Sequence, residues 1–177
     1  DGGAIFTDDD NLAQKLQSIR MHGKGASRYD NIRIGLNSRL DTIQAAILQV
    51  KLQAFIDYEL EQVNRIASLY TEKLKDIVKT PIVPAGYYSS WAQYTVQLEN
   101  RKQRDTLQQK LKEQGIPTMV YYPKPLHQQI AFEDIECNAN NISIAEDICD
   151  KVLSLPIHPY IEEKSIVEIC EALKREI

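Results

Sequence analysis

The sequence lacks any concentration of positive charge. Its 177 residues include 21 lysine and arginine side chains against 25 aspartate and glutamate side chains, for a formal net charge of −4, and the basic residues are scattered along the chain. Proteins that bind a nucleic-acid backbone usually present a basic patch or stripe. We therefore expect no nucleic-acid partner.

Long apolar runs are absent as well. No stretch approaches the roughly 20 apolar residues that a membrane-spanning helix requires, and the first ten residues lack the basic and apolar regions of a secretory signal. We therefore expect no membrane partner and a cytoplasmic location.

The sequence has few residues that typically form disulfides or bind metals. Its three cysteines, Cys137, Cys149 and Cys170, form no CxxC pair and have no metal-ligand spacing to a histidine. We expect neither a disulfide framework nor a metal site. Glycine-rich phosphate loops, HExxH and GxSxG are also missing.

Helical periodicity dominates the first part of the chain. A short strand is predicted at residues 4–7, followed by a helix that ends near His22 and Gly23. Residues 23–39 are predicted to form an irregular loop, which is long enough to be functional. Residues 41–78 form one very long helix or two helices joined at a bend near residues 55–58.

After Pro81 and Pro84 the pattern is typical of a small mixed domain. The prediction is a strand at residues 91–98, a helix from Asn100 to Gly115, a second strand at residues 116–122, and helices at residues 144–153 and 163–176. This order indicates an α/β protein with a small α+β domain, whose helices pack on one face of the sheet.

One candidate site is the segment from Gly35 to Arg39, just before the long helix. The start of a helix favours an anion, and the amide of Asn37 and the guanidinium of Arg39 suit phosphate oxygens. Alternatively, Asn37 is a turn residue, Ser38 a helix cap and Arg39 a solvated charge.

A second candidate site follows the predicted second strand. Tyr121, Tyr122, Lys124 and His127 cluster there among prolines that stiffen the chain. These groups could bind a pyrophosphate or a sugar hydroxyl. The alternative is an aromatic core strand followed by a surface turn.

Several segments, in order, resemble the DegT/DnrJ/EryC1/StrS sugar aminotransferases, which have the aspartate-aminotransferase fold of pyridoxal-phosphate (PLP) enzymes. The opening Asp-Gly-Gly is similar to the strand after the family's cofactor-lysine loop. The other similar segments are Arg20-Met21-His22-Gly23, Gly35-Leu36-Asn37-Ser38-Arg39-Leu40-Asp41 with Gln44-Ala45-Ala46, Ser90-Trp91-Ala92-Gln93-Tyr94-Thr95, Tyr121-Tyr122-Pro123-Lys124-Pro125-Leu126-His127, and Leu153-Ser154-Leu155-Pro156-Ile157-His158-Pro159.

The resemblance implies the C-terminal portion of a PLP-dependent enzyme. This enzyme would transfer an amino group, with glutamate as the expected donor, to a nucleotide-linked keto sugar in cell-surface polysaccharide or lipopolysaccharide biosynthesis. Residues 1–54 would be the tail of the large PLP-binding domain, and residues 55–177 the bridging helix and small domain. The segment from Trp91 to Tyr94 favours an acetamido sugar.

The resemblance also assigns residues. The Schiff-base lysine is expected upstream of Asp1, so residues 1–177 contain no catalytic residue and are expected to be inactive alone, without bound cofactor. In the implied homodimer, Asn37 contacts the cofactor phosphate of the neighbouring subunit and Arg39 faces its substrate. Tyr121, Tyr122 and His127 are expected to bind substrate.

Two other functions remain open at this stage. A related branch of the family has a histidine in place of the cofactor lysine and acts as a dehydratase. The chain could also be a non-catalytic member that senses a ligand or binds a partner.

Overall fold

The computed structural model describes residues 3–27, 29–135 and 142–177. The chain divides into two compact units, Asp1–Ala54 and Phe55–Ile177. Each unit is described by itself.

The first unit contains two helices joined by a long loop. Helix α1 spans Asp10–Ile19, and the carboxylate of its N-cap, Asp9, accepts hydrogen bonds from the backbone N–H groups of Asn11 and Leu12. Helix α2 spans Thr42–Ala54.

Two details of this unit differ from the predictions. Residues 4–7 form no strand and are exposed, because no segment among the described residues pairs with them. Helix α1 ends at Ile19, earlier than predicted, because His22 and Gly23 have φ angles of 62° and 74°, which a right-handed helix excludes.

The second unit combines several helices with a two-stranded sheet. It begins with a π-helical segment, Phe55–Glu59, where the sequence predicts a bend. Its remaining helices are α3 (Leu60–Leu74), α4 (Arg101–Glu113), α5 (Ser143–Lys151) and α6 (Glu163–Glu176), with short 3-10 segments at Leu126–Gln128 and Ile130–Phe132.

Strands β1 (Tyr94–Gln97) and β2 (Val152–Leu155) pair in antiparallel register, with Tyr94 opposite Leu155 and Gln97 opposite Val152. Helix α6 packs against α3 and α4, and α4 also contacts α5 and β2. The core residues are apolar positions on these elements, among them Tyr70, Leu74, Val96, Leu107, Leu111, Leu153, Ile166 and Leu173. This mixture of helices and a small sheet confirms the predicted fold class.

The second strand is not where the sequence placed it. Of the predicted strand at residues 116–122, only Met119 pairs with the sheet, through a bridge to Ser154. Pro117 and Pro123 lack the N–H that a longer ladder requires. Strand β2 instead follows α5 directly, so the predicted helix at residues 144–153 ends at Lys151.

Neither a membrane span nor a metal cluster is found in the described ranges. No helix there combines the length and the apolar composition needed to cross a bilayer. No three His, Cys, Asp or Glu side chains in those ranges are grouped to hold a metal ion. Cys149 and Cys170 are free thiols, and Cys137 lies outside the described residues.

Candidate functional site

The first candidate site lies on a loop that folds back against the end of α1. His22 donates its N–H to the carbonyl of Leu36 at 2.9 Å, and Leu36 donates to the carbonyl of Ile19 at 2.7 Å. Ser38 donates to the carbonyl of Arg20 at 2.9 Å. These backbone bonds fix the segment that carries Asn37.

Two glycines allow this close approach. A Cβ on Gly35 would lie 2.1 Å from the backbone nitrogen of Gly23, and a Cβ on Gly23 would lie 1.7 Å from the carbonyl oxygen of Arg33. Gly23 also has a φ of +74°, which side-chain-bearing residues rarely adopt. The shape of the loop therefore depends on positions without side chains.

Asn37 and Arg39 form a pair at the end of this loop. Arg39 Nε donates to Asn37 Oδ1 at 2.9 Å, and both residues are exposed. With its oxygen engaged, the Asn37 amide keeps two N–H donors, and the Arg39 guanidinium keeps its Nη groups. This donor set has the chemistry needed to bind a phosphate or carboxylate.

The second candidate site belongs to the second unit. Tyr121 and Tyr122 have ring centroids 5.8 Å apart in an edge-to-face arrangement. Both are outside the core, with Tyr122 67% exposed. They occupy an irregular segment just after the Met119 bridge, so the alternative of an aromatic core strand is wrong.

His127 is held by a carboxylate. Its Nε2 lies 3.1 Å from Oε1 of Glu146 on α5, and Gln128 Nε2 donates to the same oxygen at 2.9 Å. The hydrogen bonds from His127 and Gln128 hold the pKa of Glu146 below its usual value. Sequence reasoning missed Glu146, which is 19 residues from His127.

The structure thus pairs Asn37 with Arg39, Tyr121 with Tyr122, and His127 with Glu146. Asn37 and Arg39 lie in the first unit, whereas the two tyrosines and His127 lie in the second.

A third polar cluster was also missed. Glu59, at the end of the π-helical segment, is only 3% exposed and accepts a hydrogen bond from the Tyr160 hydroxyl. The Tyr58 hydroxyl lies 3.0 Å from that of Tyr160. The hydrogen bond to Glu59 raises the pKa of Tyr160. A separation of 101 residues leaves no periodic signal for this contact.

Trp91, the first residue of the predicted strand, has a specific place. It lies outside β1 with a φ of 47°, and its indole Nε1 donates to Asn64 Oδ1 at 2.9 Å. Its ring is 5.5 Å from that of Tyr94, which stacks on Tyr70 at 4.9 Å. The segment from Trp91 to Tyr94 is therefore attached to the core by aromatic contacts.

Comparison with known proteins places this geometry in context. The chain is 43% identical over 174 residues to UDP-2-acetamido-2-deoxy-3-oxo-D-glucuronate aminotransferase of Pseudomonas aeruginosa, covering 98% of this chain and 46% of that protein. It is 42% identical over 177 residues to a pleiotropic regulatory protein of Geobacillus stearothermophilus, with coverages of 98% and 46%. The chain spans about half the length of these relatives.

Solved structures agree with these matches. A DegT DnrJ EryC1 StrS aminotransferase from Brucella abortus superposes with a TM-score of 0.87 at 46% identity, over 96% of this chain and 44% of that one. The PLP form of Spr1654 from Streptococcus pneumoniae superposes with a TM-score of 0.82 over 96% of this chain and 44% of that one, but at 21% identity it supports the fold alone.

The family comparison covers nearly the whole chain. The model of the DegT/DnrJ/EryC1/StrS aminotransferase family matches residues 1–174, including both candidate sites. The chain belongs to the DegT/DnrJ/EryC1/StrS aminotransferase family.

Proposed function

We propose that the chain is the C-terminal portion of a PLP-dependent aminotransferase acting on nucleotide-linked keto sugars, with glutamate as amino donor. The observation that carries this proposal is the exposed Asn37–Arg39 pair, held by a backbone-bonded loop in a chain of this family. Its donors are preorganised for an anionic ligand, which lowers the entropic cost of binding.

The residues present fit a cofactor with a phosphate group. The Asn37 amide can donate to a phosphate oxygen. Helix α2 begins at Thr42, shortly after Arg39 in the sequence, and the positive end of its dipole also favours an anion. When bound, pyridoxal phosphate supplies an electron sink. The lysine that holds it is expected outside residues 1–177.

Four further side chains are assigned to the substrate. The Arg39 guanidinium binds a charged group, because its planar fork matches carboxylate and phosphate geometry. Tyr121 and Tyr122 present exposed phenols that can bond sugar or phosphate oxygens, and His127 adds an imidazole.

A UDP-linked 2-acetamido-3-oxo sugar is the substrate we propose. The 43% identical relative from Pseudomonas aeruginosa carries such a sugar in its name. The resemblance of the segment from Trp91 to Tyr94 implies the same kind of sugar. The product would serve cell-surface polysaccharide or lipopolysaccharide biosynthesis in the cytoplasm.

We also propose that residues 1–54 complete a large PLP-binding domain and that residues 55–177 form the bridging helix and small domain. The enzyme is further proposed to be a homodimer. Exposed apolar side chains on α2, including Ile43 at 76% and Val50 at 74% exposure, support a covering surface from the rest of the large domain.

The test is an assay of the full-length enzyme. Incubation with glutamate and the UDP-linked 3-oxo sugar should produce 2-oxoglutarate and the amino sugar in equal amounts. Replacing the 3-oxo sugar with its 3-hydroxy form is the control and should give no 2-oxoglutarate. Absence of amino-sugar formation with every nucleotide-linked keto sugar tried would contradict the proposal.

A regulatory role is the second candidate, supported by the 42% identical pleiotropic regulatory protein. A regulator of this kind would bind a nucleotide sugar without turnover. Calorimetric binding of the 3-oxo sugar, together with no 2-oxoglutarate release, would favour this role over catalysis.

A further inference from the structure

We infer that Glu146 is a positioning residue that fixes the imidazole of His127 through its Nε2–H and so presents Nδ1 to the sugar. His127 is in the 3-10 segment Leu126–Gln128, and Glu146 is in α5. One carboxylate oxygen of Glu146 lies within hydrogen-bond distance of both His127 Nε2 and Gln128 Nε2.

The carboxylate determines which ring nitrogen carries the proton. Two hydrogen bonds lower the pKa of Glu146, so the group is ionised at neutral pH and can only accept. A neutral imidazole facing it must carry its proton on Nε2, which leaves a lone pair on Nδ1. Among the described residues, the hydrogen bond of the His127 ring involves Nε2 and not Nδ1.

Glu146 can hold the ring because its own helix is anchored. Arg104, only 2% exposed, donates from Nη1 to the carbonyls of Cys149 and Val152 at 3.1 and 3.4 Å. These carbonyls lie at the C-terminal end of α5 and at the start of β2. The Glu146 contact thus connects His127 to elements of the core.

The consequence concerns substrate recognition and depends on the proposed function. An Nδ1 lone pair accepts a hydrogen bond, so His127 should contact a hydroxyl or an amide N–H of the sugar rather than an oxygen of the diphosphate. Loss of Glu146 lets the ring rotate and exchange tautomers, which weakens binding of the sugar but leaves the amino donor unaffected.

The experiment compares Glu146→Ala and Glu146→Gln with Asp147→Asn in the full-length enzyme. Asp147 is the neighbouring carboxylate, paired with Lys151 at 2.6 Å, and serves as the matched control. We expect Glu146→Ala to raise KM for the nucleotide sugar by about three- to tenfold, with KM for glutamate unchanged. Glu146→Gln keeps an acceptor oxygen and should recover part of the loss.

A second readout is independent of turnover. Two-dimensional ¹H–¹⁵N spectra of histidine-labelled full-length protein, with His127 assigned by His127→Gln, should show the neutral Nε2–H tautomer. Glu146→Ala should show a mixture of tautomers, and Asp147→Asn should not. An unchanged Nε2–H tautomer in Glu146→Ala would overturn the inference, as would a doubly protonated ring in the unsubstituted protein.

The two readouts separate the possible failures. If no aminotransferase activity is found, the proposed function fails, and the tautomer of His127 still decides the role of Glu146. If the tautomer depends on Glu146 but KM for the sugar does not, the contact to substrate is wrong.

Discussion

Arg39 donates a hydrogen bond to the side-chain oxygen of Asn37 at 2.9 Å, so that each residue orients the donors of the other. Because we propose that Asn37 contacts the cofactor phosphate, Asn37→Ala in the full-length enzyme should weaken cofactor retention. Gel filtration followed by the visible absorbance of the protein measures this loss. Retention equal to that of the unsubstituted enzyme would contradict the assignment.

Arg39 should affect the substrate more than the cofactor. Loss of one charge-assisted hydrogen bond in Arg39→Ala should raise KM for the nucleotide sugar by an amount equivalent to about 1.5–3 kcal/mol. Arg65→Ala, on the exposed side of α3, is the control and should leave KM unchanged. An effect confined to kcat would argue against a binding role.

The proposed cross-subunit arrangement can be tested by mixing chains. One chain carries Arg39→Ala and the other lacks the cofactor lysine. Activity is measured at a low concentration of the nucleotide sugar, where the raised KM of the Arg39→Ala homodimer and the missing lysine of the other homodimer leave both nearly inactive. If arginine acts across the interface, one of the two sites in the heterodimer combines a normal lysine with a normal Arg39, and activity returns. Verified heterodimers without activity would show that both groups act within one subunit.

Gly35→Ala should disrupt the loop that carries Asn37. The new methyl group would collide with the backbone of Gly23, so we expect a loss of about 1–3 kcal/mol in stability and weaker cofactor retention. Gly3→Ala is the matched control, because nothing lies within 4 Å of the added carbon. Thermal denaturation of both variants measures the difference.

Alkaline pH should destabilise the second unit through its buried tyrosines. Burial raises the pKa of Tyr94 from 10.0 to about 12, and burial also raises that of Tyr70. Because the folded state holds these phenol protons more tightly, the raised pKa values contribute to the free energy of unfolding. This contribution is fully present below pH 10, where the tyrosines of the unfolded chain are protonated, and it is lost as the pH rises through the folded pKa. Urea unfolding between pH 9 and 12 should show a smaller decline for Tyr94→Phe than for the unsubstituted chain.

The long helices were predictable because local signals mark them. Asn100 accepts from the N–H of Gln103 at the start of α4, and Gly115 has a φ of +76° just beyond its end, as expected for cap residues. Helix α6 has the predicted bounds. Capping and periodicity are encoded in neighbouring residues, so no tertiary information is needed.

Strand β2 and the contact between His127 and Glu146 could not be predicted from local sequence signals. All four residues of β2 are buried, and a short apolar run of this kind has the same pattern in a strand and in a buried helix. The His127–Glu146 pair joins residues whose proximity depends on how α5 is anchored by Arg104. Both features are consequences of tertiary packing.

The bridges beside the sheet have a consequence for pairing through its edges. Lys79 exchanges hydrogen bonds with Gln97 on the outer side of β1, and Met119 exchanges them with Ser154 on the outer side of β2. Both edges of the two-stranded sheet therefore have some of their backbone N–H and C=O groups already hydrogen-bonded, so fewer remain to pair with an added strand. Self-association by strand addition is therefore disfavoured.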